Sequence, residues 1–441
     1  MPAAAPPTAP LSRSALERHK LDRLRRLLAE ILPANRFYAA KLARASHALG
    51  SLADLEAWPF TYKEELVAGS RTGSPANLTW PIDHYVRFHQ TSGTHGRPLP
   101  VFDTAADWAW WMDCWREILD RGGVHAGDRV LVASSFGPYA GFWSAFDAAI
   151  TRGAMAVPTG GMPSLARLEL ARSLGATVLV ATPSYALHLA EVARDHKLDT
   201  AGLPIRLVIV AGEPGGSIPA VRARIAEAWG ADVLDHAGAT EVGPWGVGTL
   251  TGGGIDVIEP FFHAEFLALE TGRAARPGEL SELVLTTLGR AGAPVIRYRT
   301  GDLVRPRWPD DGAACPWVRL DGGILGRADD MLVIRGVNVY PSQIEEALLR
   351  VDGTAPHYLI EVTRPGALDE VTVHVEMSPA LFSDSMARLQ QTRNRLAHAI
   401  HSVTGVGVTI DLVEPQTLDR FEGKAKRVID RRNLSDPGRL A

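Results

Sequence analysis

Between Arg129 and Leu234 the chain alternates short, wholly apolar runs with stretches of helical length, and this alternation restricts the fold more than any other feature. Arg129-Val130-Leu131-Val132-Ala133, residues 154–157, Val178-Leu179-Val180 and Leu207-Val208-Ile209-Val210 read as strands. Residues 142–152, 165–174, 184–195 and 218–229 read as the helices between them. A strand apolar at every position has no solvent face, so it must be covered on both sides. Covered strands joined by helices pair in parallel, because a parallel connection has to cross back over the sheet. The expectation is an α/β protein built on mostly parallel sheets flanked by helices.

The flanking regions have a different texture. Residues 14–31 form a helix whose apolar face carries Leu16, Leu21, Leu24, Leu27, Leu28 and Ile31, and Pro33 ends it. Arg18, Lys20, Arg23, Arg25 and Arg26 lie largely off that face and read as a solvated side, not a binding patch. Residues 85–88 form a strand, and residues 105–119 a helix whose Trp108, Trp110, Trp111 and Trp115 are core filler. After about Gly248 come shorter strands at 263–268, 282–286 and 295–298, which suggest an antiparallel or barrel-like β subdomain. A helix at 342–349, a strand at 371–375, a helix at 386–398 and a strand at 408–411 make a small α+β module at the C-terminus.

Composition excludes several classes. A formal net charge of −4 leaves no electrostatic footprint for nucleic acid or an anionic membrane. Cys114 and Cys315 are the only cysteines, which excludes a disulfide framework or a Cys-rich zinc site and suits a reducing compartment. Residues 1–10 are Ala/Pro-rich without a basic and then apolar leader, so a frayed tail is expected there and not a signal peptide. No run of about eighteen apolar residues occurs, so no transmembrane helix is expected and the protein reads as cytoplasmic.

In such sheets ligands sit at the carboxyl ends of the strands, so the loops there carry the chemistry. Gln90-Thr91-Ser92-Gly93-Thr94-His95-Gly96-Arg97-Pro98 follows the strand at 85–88. Its glycines let the backbone approach an anion, and its hydroxyls and N–H groups converge on the oxygens. It lacks Walker spacing, and alone it reads more often as a solvated turn. Further Gly-and-polar loops follow at Ala211-Gly212-Glu213-Pro214-Gly215-Gly216, Asp235-His236-Ala237-Gly238-Ala239-Thr240-Glu241, Arg297-Tyr298-Arg299-Thr300-Gly301-Asp302 and Gly326-Arg327-Ala328-Asp329-Asp330.

Together, and in this order, these motifs resemble the superfamily of acyl-adenylate-forming enzymes, most closely its phenylacetate–CoA ligase branch. Especially similar are Ser281 through Leu288, Pro294 through Asp302 and Arg335-Gly336-Val337-Asn338-Val339-Tyr340-Pro341-Ser342-Gln343-Ile344-Glu345. The resemblance covers nearly the whole chain. It implies a large N-terminal domain (1–328) and a small mobile C-terminal domain (329–441) that rotates about Asp329 between adenylating and thioester-forming poses.

The same resemblance assigns roles. Thr91, Ser92, Gly93, Thr94 and Gly96 match the phosphate loop, with His95 where most members carry Thr or Ser. Thr240 and Glu241 match the catalytic pair whose acid works with Mg²⁺ on the phosphates. Gly212, Glu213 and Pro214 match the adenine-lining segment, Asp302 the acceptor of both ribose hydroxyls, and Arg327 a further nucleotide contact. Gly336 matches the position past which the pantetheine arm runs, and Lys424 the lysine bridging carboxylate and α-phosphate. Ala237 departs from the pattern, since an aromatic residue usually precedes the glycine. His236 is then the nearest ring for adenine stacking, and the alternative is a pocket reshaped for a bulkier acyl group.

The loop at 134–143 shares this edge, so Phe136 and Tyr139, with Gly238, are expected to wall the acyl pocket and favour an aromatic acid. The Tyr139 hydroxyl, if buried, would favour a polar ring substituent. The expected reaction is ATP-dependent conversion of a carboxylic acid to its adenylate, then thioester formation with coenzyme A. A free-standing enzyme loading an aryl acid onto a carrier protein's phosphopantetheine is the alternative, and a homodimer is among the possible assemblies. A catalytically idle homologue would be expected to have lost Glu241, Asp302 or Lys424, and all are present.

Overall fold

A computed structural model describes residues 12–68, 74–91, 98–310, 312–328, 330–351, 353–366, 368–382, 385–419 and 427–432. Its centre is a nine-stranded sheet. From one edge the strands run Met155–Pro158, Arg129–Val132, Val178–Ala181, Leu207–Val210 and Asp232–Ala239, all parallel. The sheet then continues antiparallel through Gly243–Gly248, Gly254–Val257, Arg319–Asp321 and Pro306–Arg307. Alternate residues of the parallel strands feed two separate cores. Val130, Val132, Val180, Ile209 and Leu234 join the tryptophan-rich helix Ala105–Arg121 and the helix Ala140–Thr151. Leu131, Leu179, Val208, Val210 and Val233 join the helices Ser164–Leu174, Pro183–Asp195 and Pro219–Trp229 on the other face. Covering both faces is what the uninterrupted apolar strands require.

A second, four-stranded antiparallel sheet orders Phe262–Ala268, Ser281–Thr287, Tyr298–Val304 and Gly326–Arg327. The N-terminal helix Arg13–Ile31 packs its leucines with Leu288 and Ile296 from this region. Its buried Lys20 pairs with Glu259 at 2.6 Å, so one member of the basic run is a core ion pair and not part of a solvated face. The C-terminal module is a further four-stranded sheet, Thr409–Val413, Glu370–Met377, Thr354–Thr363 and Val428–Asp430, with the helices Pro341–Leu349 and Met386–Thr404 sharing its core.

Three expectations are corrected. The antiparallel part begins at Gly243, inside the main sheet, because the strand after Leu207–Val210 runs on to Ala239 and its return pairs alongside. Residues 235–239, read from their glycine as loop, are therefore strand, with the register shift between Ala237 and Ala239 absorbing Gly238. The strand expected at 295–298 is displaced to Tyr298–Val304. Arg297 has φ of +48°, which no β-strand tolerates, and its guanidinium is drawn instead to Glu265 and the carbonyl of Glu56. Among the described residues no helix is long and apolar enough to cross a membrane.

Candidate active site

Glu241 stands at the carboxyl end of the strand Asp232–Ala239, in the turn closed by Val242 N–H on the Ala239 carbonyl at 3.0 Å. Its own carbonyl is fixed by Arg290, whose Nη1 donates at 2.7 Å. Arg290 is completely buried and is neutralised by Asp103 at 2.6 Å, so the acid's backbone rests on an interior ion pair. The Glu241 carboxylate accepts from the Tyr298 hydroxyl at 2.9 Å and lies 3.5 Å from Lys63 Nζ. Burial, reinforced by the neighbouring carboxylate, pushes the Tyr298 phenol well above its ordinary range, so it stays a donor. A small cleft opens here between Leu66, Asn77, Leu99, Glu241 and Arg290.

Among the described residues no cluster of three acidic, His or Cys side chains is arranged to hold a metal alone. A single carboxylate facing a cleft fits Mg²⁺, which takes one or two protein carboxylates and completes its shell with water and substrate phosphates.

Asp302 follows on the same strand as Tyr298, buried at 8% exposure. It pairs in register with Arg327, whose Nη1 donates to its Oδ1 at 3.2 Å, and the Thr300 hydroxyl accepts from its backbone N–H at 2.9 Å. Tyr298 bonds Glu241, Asp302 shares its strand, and Arg327 bonds Asp302, which brings these four residues into one group. Gly212, with φ of +94°, Glu213 and Pro214 leave the strand Leu207–Val210 on the same edge. Glu213 Oε1 accepts from Ser184 N–H at 2.7 Å, capping the first turn of the helix Pro183–Asp195.

The acyl candidates lie on the neighbouring loop. Its Pro138 carbonyl accepts from Gln90 N–H at 2.7 Å, so it abuts the start of the phosphate loop. Phe136, at φ of +51°, packs edge-on to Trp143 and Phe146, at ring-centroid distances of 4.9 and 5.8 Å. Tyr139 is 45% exposed, so the buried hydroxyl that favoured a polar ring substituent is not present in this structure. Trp143 belongs to the helix and ties its Nε1 to the Gly137 carbonyl at 3.0 Å.

Other candidates are placed differently from expectation. His236 cannot reach a nucleotide base: its ring is fully buried 4.6 Å from that of Trp115, with Nδ1 on the Gly246 carbonyl at 2.8 Å. The hydroxyl of Thr91 accepts from Leu99 N–H at 2.9 Å, so it closes the base of its loop from inside. Gly336 has φ of +82° beside Arg335 at +51°, a turn that itself demands glycine, and a Cβ there would meet open space. Gly238 and Thr240 precede Glu241 as the motif requires, Gly238 exposed and Thr240 half-buried. Ser92, Gly93, Thr94, His95 and Gly96, Asp329 and Lys424 lie outside the described residues. Sequence reasoning missed Lys63, Arg290 and the Tyr298 hydroxyl. Only Tyr298 carried a signal, since it stands inside a quoted motif.

Residues 34–284 match the AMP-binding enzyme family, and residues 336–432 match the AMP-binding enzyme C-terminal domain. The phenylacetate–coenzyme A ligase of Escherichia coli (strain K12) is 35% identical over 392 residues, 87% of this chain and 86% of that one. Among solved structures, 2-hydroxyisobutyryl-CoA ligase in the postadenylation state with 2-HIB-AMP superposes with a TM-score of 0.91 at 32% identity, covering 98% of this chain and 94% of that one. The same ligase in the thioesterification state, with 2-HIB-AMP and CoA, gives 0.69 at 32% identity, covering 98% and 91%. Sequence likeness is the same in the two, so the difference is one of arrangement. The chain is arranged as in the postadenylation state.

Proposed function

The chain belongs to the AMP-binding enzyme family, and on that premise we propose that it activates an aryl carboxylic acid with ATP and passes the acyl group to coenzyme A. The observation that carries this reading is the strand Tyr298–Val304, which delivers both the phenol on Glu241 and the Asp302 carboxylate to one edge. In the first step a carboxylate oxygen attacks the α-phosphorus of ATP, the bond to the β-phosphate oxygen breaks, and pyrophosphate leaves. Asp302 offers two acceptor oxygens to the ribose hydroxyls, with Arg327 holding its side chain. Glu241, oriented by Tyr298, faces the phosphates with Thr240, and Lys63 adds a cation at its side. Mg²⁺ bound there supplies charge neutralisation on the phosphate oxygens. The family resemblance assigns residues 92–96 to the polyphosphate and Lys424 to the charge that develops between carboxylate and α-phosphate.

In the second step the coenzyme A sulfur attacks the acyl carbonyl and AMP leaves. The carbonyl site must then be opened to a thiol, and rotation of residues 329–441 about Asp329 would do so, carrying Lys424 away and bringing the turn at Gly336 in. The two states of 2-hydroxyisobutyryl-CoA ligase support such a motion. Phosphopantetheine on a carrier protein presents the same thiol and is the alternative acceptor. ATP, coenzyme A and the free thiols of Cys114 and Cys315 suit action in the cytoplasm.

For the acid, the ring cluster of Phe136, Trp143 and Phe146 beside Pro138 supports an aromatic side chain, as does the phenylacetate specificity named for the E. coli relative. A small 2-hydroxy acid is the competing outcome, from the name of the structural neighbour. An ATP–pyrophosphate exchange panel of arylacetates, benzoates, 2-hydroxyisobutyrate and fatty acids decides between them. Aryl acids leading by at least about tenfold would support the reading, and parity would remove it.

A further inference from the structure

Among the described residues the C-terminal module meets the large part of the chain through several polar contacts and a buried leucine. His357, in the strand Thr354–Thr363, donates from Nε2 to Glu191 Oε2 of the helix Pro183–Asp195 at 2.9 Å. His188, one turn earlier on that helix, lies 3.8 Å from the same carboxylate oxygen. Arg224 donates to the Leu349 carbonyl at 3.2 Å, Leu349 packs into the core of the large sheet, and Ser342 donates to the Leu325 carbonyl. His357 is 6% exposed, so its ring is shut between the two bodies.

What His357 is attached to gives the contact its meaning. Tyr358, the next residue, lies under Arg427, whose guanidinium carbon is 4.4 Å from the ring centroid and whose Nη2 is 3.6 Å from Glu345. The Arg427 carbonyl accepts from Ile360 N–H at 2.8 Å, and from there Val428–Asp430 runs parallel to the strand holding His357. Arg427 stands three positions after Lys424 in the sequence. Fixing His357 on Glu191 thus fixes the strand that anchors the exit of the lysine-bearing segment.

We propose that Glu191 and His357 are positioning residues for the adenylation half-reaction, a contact between the two bodies that is made in this pose and broken in the thioester-forming one. The proposal rests on the two-pose reading above. This chain superposes at 0.91 and 0.69 on the two states of one relative, and a rearrangement of that size would part a side-chain pair that meets tip to tip. A contact present in one pose only biases the equilibrium between them, and removing it must help the pose it opposed. The signature is therefore opposite in sign for the two half-reactions. A merely structural role lowers both.

The test uses the full chain with Glu191→Gln and, separately, His357→Gln, with ATP–pyrophosphate exchange for the first half-reaction. Thioester formation from synthetic phenylacetyl-adenylate and coenzyme A reports the second. Glu191 sits on a helix surface of the large part, so Glu191→Gln keeps a folded control even where His357→Gln does not. The expected result is a fall of about fivefold in exchange, about 1 kcal/mol, with thioester formation unchanged or raised. Equal losses in both half-reactions, or no change in either, would overturn the proposal. Wild-type protein that forms no acyl-adenylate at all would instead overturn the functional reading beneath it.

Discussion

The hydroxyl of Tyr298 donates to Oε1 of Glu241 across 2.9 Å, and burial keeps that phenol protonated. The role proposed for Glu241, on magnesium-bound phosphates, needs its carboxylate held in one orientation, and this bond does so. Tyr298→Phe is expected to lower ATP–pyrophosphate exchange about tenfold, the loss of one charge-assisted hydrogen bond. It should also raise the Mg²⁺ concentration needed for half-maximal rate. Thioester formation from preformed acyl-adenylate should stay within about twofold of wild type. A variant with unchanged Mg²⁺ dependence would remove Tyr298 from the site.

Asp302, steadied by Arg327, is assigned to the ribose hydroxyls. Wild-type enzyme should therefore prefer ATP to 2′-deoxyATP in kcat/KM, and Asp302→Ala should lose most of that preference while losing activity with both. A preference that survives the substitution would place the ribose elsewhere.

Much of this arrangement was legible in the chain, and the failures have physical causes. The parallel strands and their helices were readable because residues such as Leu207 through Val210 are apolar at every position and have one solution. The turn reading of residues 235–239 failed because glycine at 238 marks a bulge inside a long strand as readily as a loop. The strand at 295–298 was misplaced because Arg297 takes a left-handed conformation held by partners distant in sequence, among them Glu265, Phe60 and the Glu56 carbonyl. Glu241 and Asp302 were visible as motif residues. Lys63 and Arg290 were not, since their roles arise from distances between segments far apart in sequence.

His236 provides a pH test of the core. Burial lowers its pKa from 6.5 to about 4, so the folded protein holds the ring neutral. Its stabilisation is complete above the unfolded pKa and is lost as pH falls from about 6.5 toward 4, amounting to about 3 kcal/mol for a shift of this size. Melting temperature should fall across that window, and His236→Gln should flatten the slope. An unaltered slope would show that other groups dominate acid unfolding.

The acyl loop makes a prediction about rings and not about hydroxyls. Tyr139 is 45% exposed, so Tyr139→Phe should leave the ranking of hydroxybenzoates and benzoates unchanged. Phe136→Ala, which removes the ring between Trp143 and Phe146, should raise the KM for aryl acids several-fold in exchange assays. Rankings that respond to the Tyr139 hydroxyl would restore a polar contact there.

Formation of an acyl-adenylate and its transfer to a thiol can be read from the products that wild-type protein makes. Phenylacetate, ATP and Mg²⁺ are incubated with and without coenzyme A, and nucleotides and acyl species are identified by mass spectrometry. Without coenzyme A, pyrophosphate and phenylacetyl-adenylate are expected in amounts close to that of enzyme. With coenzyme A, multiple turnovers to phenylacetyl-CoA, AMP and pyrophosphate in equal amounts are expected. Formation of ADP and phosphate, or of no acyl species from any acid in the panel, would contradict this two-step reaction.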